Sequence, residues 1–163
     1  MTITIPTTEP DEKFKLFVDI GIITVPNDYM FEHNYVGNRF PELSRIPKAG
    51  NKYHVRIFRQ TVNGLTTSKE RMEYLDSRKA IYLGEEGGAF IHKQMFYQLP
   101  EGYSYTSFVS NQLIGHPEAV SPSSYLVVLR KETKPFPPGF YYVTQTFGKV
   151  WGWYDAFFGF FEI

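Results

Sequence analysis

Apolar positions along this chain recur mostly with a period of two, the spacing of half-buried strands. From Phe14 to Val25 the even positions Phe14, Leu16, Val18, Ile20 and Ile22 are apolar, while the odd ones include Lys15 and Asp19. This predicts an antiparallel strand with its even side chains in the core, ended by Pro26, Asn27 and Asp28. The pattern returns over Lys52–Val62, with Tyr53, Val55 and Ile57 on one face and His54, Arg56 and Gln60 on the other. Asn63-Gly64 comes next, a pair suited to the positive φ angles of a tight hairpin turn. Ala89–Leu99 and Tyr103–Val109, joined through Pro100, Glu101 and Gly102, read as a further hairpin. Tyr125–Leu129 and Phe140–Phe147 read as later strands.

One helix interrupts this pattern. Thr67 with Glu70 three residues on has the form of a capping box, in which the hydroxyl takes a backbone N–H and the carboxylate reaches back. It predicts a helix from about Ser68 to Arg78 with a thin apolar stripe of Met72 and Leu75, suited to covering a sheet edge or an open barrel end. Residues 27–51 are the least regular quarter, broken by Gly37, Pro41, Pro47 and Gly50. They are expected either to serve as a binding loop or to cap one end of the core. Seven to nine strands, one helix and no alternation of strand with helix predict a mostly β fold, α+β by element count. The expected architecture is a single domain over residues 1–163, an antiparallel β-sandwich or small barrel with one short helix near 68–78.

Composition narrows the functional classes. The chain of 163 residues balances 17 basic against 17 acidic side chains, and its most basic third, residues 51–100, holds 8 against 5. Nucleic-acid binding, which rests on excess Lys and Arg, is therefore not expected. Zero cysteines leave no disulfide framework, thiol nucleophile or thiolate metal site and suit a reducing compartment, so the expected location is cytoplasmic. No apolar run approaches the roughly 20 residues of a membrane span, and a soluble protein is expected.

The search for chemistry returns mainly absences. Phosphate-loop, zinc-protease, serine-hydrolase and EF-hand signatures are missing, and no metal site or cofactor is expected. His33, His54, His92 and His116 form no local pair at metal-ligand spacing. His54 and His92, each read as lying within a strand, are the candidates for polar chemistry, against the plainer reading of surface histidines. Glu85 and Glu86, within Gly84-Glu85-Glu86-Gly87-Gly88, are candidates for an acid and base pair; a glycine-permitted turn with solvated charges competes.

Aromatic residues carry the strongest compositional signal, with 15 Phe, 12 Tyr and 2 Trp. Residues 151–163 contain 7 of them. Phe157-Phe158 and Phe160-Phe161 place neighbours on opposite faces of a strand, so that strand is either central and covered twice, part of a subunit or partner interface, or a membrane-surface belt. Tyr103, Tyr105, Trp151, Trp153, Phe158 and Phe160 are the candidate ligand or partner surface.

The stretches Phe17–Tyr29, His54–Phe58, Gly64–Leu75, Lys79–Phe90 and Gln98–Tyr103 resemble an uncharacterised family of bacterial proteins of about this size. The likeness covers the first two-thirds of the chain, to about residue 110, and implies no activity, cofactor or site residue. The expected function is a non-enzymatic β-domain that engages a protein partner or its own copies through aromatic-rich surface. The alternative is a small-molecule or glycan-binding barrel or sandwich, with His54 or His92 supplying any catalysis.

Overall fold

The computed structural model describes residues 12–28, 48–108, 125–131, 138–144 and 149–163. Most of the irregular 27–51 segment, together with His33 and His116, lies outside them. Six strands form one sheet: β1 (Phe14–Thr24), β2 (Lys52–Gln60), β4 (Ser104–Ser107), β5 (Tyr125–Arg130), β6 (Gly139–Thr144) and β8 (Asp155–Glu162). Their order is β1-β2-β8-β4-β5-β6, and β3 (Thr66–Thr67) pairs with β7 (Val150–Trp151) in a separate ribbon. The chain is mostly β, as the period-two pattern predicts. The sheet is open, with β1 and β6 at its edges, so the barrel alternative is not adopted among the described residues. All its neighbours are antiparallel except β4 and β8, which run parallel.

The last strand lies in the middle. β8 pairs with β2 on one side and β4 on the other, which explains why its phenylalanines alternate without a polar face. Phe158 and Phe160 join Tyr53, Val55 and Ile57 in one core. Phe157 joins Phe14 and Phe58 in the other. Between them, Gly159 leaves room for rings: a Cβ there would stand 2.7 Å from Phe58 Cε2 and 3.0 Å from Phe161 Cε2.

A helix covers each face. α1 (Ser68–Ser77) buries Met72 and Leu75 against the Phe157 face. Its cap is reciprocal, with the Glu70 N–H donating to Thr67 Oγ1 at 3.1 Å and the Thr67 N–H donating to Glu70 Oε1 at 3.1 Å. Lys13 also donates to the Glu70 carboxylate. This contact, ahead of the opposing desolvation, holds Glu70 below its ordinary pKa, with help from Thr67.

The second helix departs from the pattern expected of the sequence. Residues expected as a glycine turn and a strand, Gly84–Gly88 and Ala89–Leu99, instead form α2 (Gly84–Met95) and a 3-10 turn over Phe96–Gln98. The expected hairpin with Tyr103–Val109 is therefore absent, and β4 pairs with β5 and β8. Phe90, Ile91 and Met95 of α2 pack on the Phe158 face. Gly87 and Gly88 let the helix sink onto it: a Cβ at Gly87 would meet Phe160 Cζ at 2.6 Å, and one at Gly88 would meet Val127 Cγ1 at 2.6 Å.

The parity expected of β1 also changes along the strand. Its pairing with β2 slips between Leu16 and Val18 and again between Asp19 and Gly21. Each slip inserts an extra residue and turns the remainder of the strand to the other face. Leu16 and Ile22, expected in the core, are 50% and 51% exposed, whereas Ile23 and Val25 are buried. At its far end the Gln94 side chain from α2 takes up the strand, accepting from the Thr24 N–H at 3.2 Å and donating to the Thr24 carbonyl at 2.7 Å.

Candidate functional site

Because β4 and β8 run parallel, their first residues, Ser104 and Asp155, stand side by side. The Asp155 carboxylate organises this corner, accepting from Ser104 Oγ at 2.6 Å and from the Gly152 N–H at 2.8 Å. The Asp155 N–H closes the turn onto the Gly152 carbonyl at 3.1 Å, and the Ser104 N–H donates to the Tyr154 carbonyl at 3.1 Å. Trp153 and Tyr154 thus ride at the tip of a hydrogen-bonded turn, 59% and 45% exposed. Their rings meet edge to face at 5.8 Å. Tyr103 continues the strip, with its ring 6.2 Å from Trp153 and 4.8 Å from Phe17. Arg59 lies 4.7 Å over the Phe17 ring and donates from Nη1 to the Tyr103 hydroxyl at 3.1 Å.

The remaining aromatics expected on that surface are interior. Phe158 and Phe160 are each 2% exposed, and Tyr105 and Trp151 are also buried. Tyr105 stacks on Phe158 at 5.7 Å and donates its hydroxyl to the Pro100 carbonyl. Burial, with a smaller contribution from Tyr103, pushes its phenol far above the ordinary value, so it stays neutral. Trp151 donates from Nε1 to Ser68 Oγ at 2.8 Å. Tyr105, Phe158 and Phe160 pack in one core and Trp151 in the other, so none of the four is exposed.

Trp151 borders a feature that the sequence does not announce: Arg71, fully buried on α1. Its Nε donates to Thr66 Oγ1 at 2.9 Å and its Nη1 to the Asp155 carbonyl at 2.6 Å. Its Nη2 donates to Gln60 Oε1 and to the Gly152 carbonyl, each at 3.1 Å. The guanidinium lies 5.0 Å from the Phe157 ring and 5.9 Å from those of Phe14 and Trp151. Desolvation lowers its pKa to about 10 against the pull of Asp155 and Glu70, so it remains cationic at neutral pH. This cluster ties α1, β2, the β3–β7 ribbon and the Gly152–Asp155 turn together, which is a structural role.

Of the four acid–base candidates, His92 lies on α2 and not on a strand. It is exposed, with its ring 5.0 Å from Phe96 and 5.9 Å from Phe140. Glu85 and Glu86 belong to the first turn of α2 and not to a glycine turn. His54 has the carboxylate partner that catalytic histidines often use: its Nε2 is 2.6 and 2.8 Å from the two Asp19 oxygens. Arg56 Nε stands 3.5 Å from Asp19 Oδ2. Desolvation works to raise the Asp19 pKa, but the hydrogen bonds from His54, the Gly21 N–H and Arg56 outweigh it and leave it below its ordinary value. Among the described residues no group of three or more His, Asp or Glu side chains converges as a metal site would require.

Beside Asp19 and Arg56, an open groove of about 480 Å³ runs between β1 and α1, with Phe58, Tyr74 and Phe161 among its walls. Asp19 and the groove escape sequence reasoning because they need the register of β1 on β2. The alternation places Asp19, His54 and Arg56 on polar faces, and the pairing of Asp19 with Arg56 and of Ile22 with His54 brings those faces together.

Among the described residues no helix is long and apolar enough to cross a membrane. Comparison with protein-family models, with curated proteins and with solved structures returned no match.

Proposed function

We propose that this chain is a non-enzymatic binding domain that engages a protein partner, its own copy included, through the aromatic strip of Tyr103, Trp153 and Tyr154. The exposure of Trp153 and Tyr154 on a hydrogen-bonded turn carries the reading. Large rings held in place lose little conformational freedom on binding, and Tyr and Trp are the side chains enriched in interface cores. Light scattering across a concentration series tests it. The expected result is a mass above the 19.0 kDa of one chain, returning to one chain in a Trp153→Ala/Tyr154→Ala variant, or else a companion protein lost from that variant. A particle that stays at one chain's mass and purifies alone overturns the reading.

A second reading, small-molecule binding, is favoured by the groove between β1 and α1. Its volume lies in the range of pockets that hold small ligands, and it combines aromatic walls with charged side chains.

A further inference from the structure

Two arginines that line the groove are held alike. Arg56 stacks over the Phe161 ring at 5.1 Å, and Arg78 stacks over the Tyr74 ring at 5.0 Å. Each guanidinium is pinned by one carboxylate, Arg56 by Asp19 and Arg78 by Glu12. A guanidinium held against a ring by its central carbon can still offer N–H groups to planar acceptors. Of the donors, Asp19 engages the Nε of Arg56 and Glu12 engages an Nη of Arg78, so each arginine has further N–H groups to offer.

Among the described residues the charges lining the groove do not cancel. Asp19 is already satisfied by His54 and the Gly21 N–H as well as by Arg56. Lys15, exposed and on the groove wall, adds a third cation for which the described residues supply no carboxylate. The walls between the cations are apolar: Leu16 is half exposed and the Phe161 ring is partly so. The phenol of Tyr74 is raised above its ordinary pKa by burial, so it adds no negative charge.

We infer that this groove binds an aromatic monocarboxylate, its ring against Phe161 and Leu16 and its carboxylate met by Lys15 and the outer N–H groups of Arg56 or Arg78. The inference rests on the small-molecule reading above and deepens it. A bare anion leaves the apolar wall in water, and a neutral ring leaves the excess cation unmatched; an aromatic carboxylate answers both.

NMR titration of the full chain with phenylacetate, phenylacetamide and inorganic phosphate tests it, followed at the aromatic resonances of Phe161 and Tyr74. Phenylacetate is expected to shift these rings and to bind about tenfold more tightly than the amide, the factor that one charge-assisted contact supplies. Lys15→Met, a change at an exposed side chain, is expected to erase most of that difference while leaving the amide unaffected. Equal binding of acid and amide overturns the anion class but keeps a small-molecule groove. Binding of phosphate as tight as that of phenylacetate overturns the aromatic part. No shift of either ring with any of the three at millimolar concentration removes both the inference and the reading beneath it.

Discussion

Burying Arg71 removes a full charge from water, and the geometry of its acceptors makes this tolerable. Four donated hydrogen bonds reach Thr66, Gln60 and the carbonyls of Gly152 and Asp155, and ring faces fill the space around the plane. The interactions come as a set. An Arg71→Met substitution keeps much of the volume but removes all four hydrogen bonds, leaving the Gln60 oxygen with the Thr66 hydroxyl and the Gly152 carbonyl with the Asp155 N–H. Because hydrogen bonds from a charged donor contribute about 1.5–3 kcal/mol each, it should cost several kcal/mol, read as a marked fall in the urea midpoint. Arg71→Lys, with one compact ammonium in place of a planar fork, should recover only part of this. An unchanged midpoint in Arg71→Met would show that the network adds nothing to stability. No local pattern points to Arg71, which directly follows the Glu70 of the capping box among ordinary helix formers. Its acceptors come from positions 60, 66, 152 and 155, and only the closed fold brings them together. The Asp19–His54 pair is half legible: alternation locates both strands and puts both residues on polar faces, but neither bulges nor strand order can be read from it.

At the scale of elements, α2 shows how glycine misleads. Two adjacent glycines lower intrinsic helix propensity by about 1 kcal/mol each relative to Ala, and a cluster of them reads as a turn. Here they are retained because a helix must lie almost in contact with β5 and β8. Propensity and packing therefore predict opposite signs for Gly87→Ala and Gly88→Ala. Propensity alone predicts stabilisation. The structure puts the new Cβ of residue 87 at 2.6 Å from Phe160 Cζ and 2.7 Å from Leu83 Cβ, with both neighbours buried. Overpacking of that kind costs about 1–3 kcal/mol, so each substitution should lower the melting temperature, and a rise in either would show that the helix can stand off from the sheet. The strands are more legible than the helices: β1, β2, β5, β6 and β8 occupy segments whose apolar spacing or aromatic density marks them. α1 is legible from its cap, which is local chemistry. The spacing of Ile91, Met95 and Leu99 is equally helical, but the glycines before it outweigh that signal.

At the scale of the whole molecule, the position of β8 decides how the chain is held together. Placed last in sequence and third in the sheet, it joins β1 and β2 to β4, β5 and β6, and no other described strand pairs across that division. Its side chains also fasten both cores: Ala156, Phe158 and Phe160 on the α2 face and Phe157 on the α1 face. The alternating Phe pairs, a pattern that an interface would share, are thus the seam between the two halves of the sheet. Sequence separation of this size, Tyr53 pairing with Glu162 and Ile57 with Phe158, means that the closing contacts come only after a large loop is formed, at a cost in folding rate. A chain ending at Tyr154 should therefore lose cooperative unfolding altogether, because it loses both ladders and four buried side chains together. Removing Ile163 alone, 74% exposed, should shift stability by no more than about 0.5 kcal/mol, as for other exposed positions. Circular dichroism melts of the two truncations give the comparison. A sigmoidal transition in the shorter chain would mean that β2 and β4 can hold the sheet without the strand between them, and the central place of β8 would then have no energetic weight.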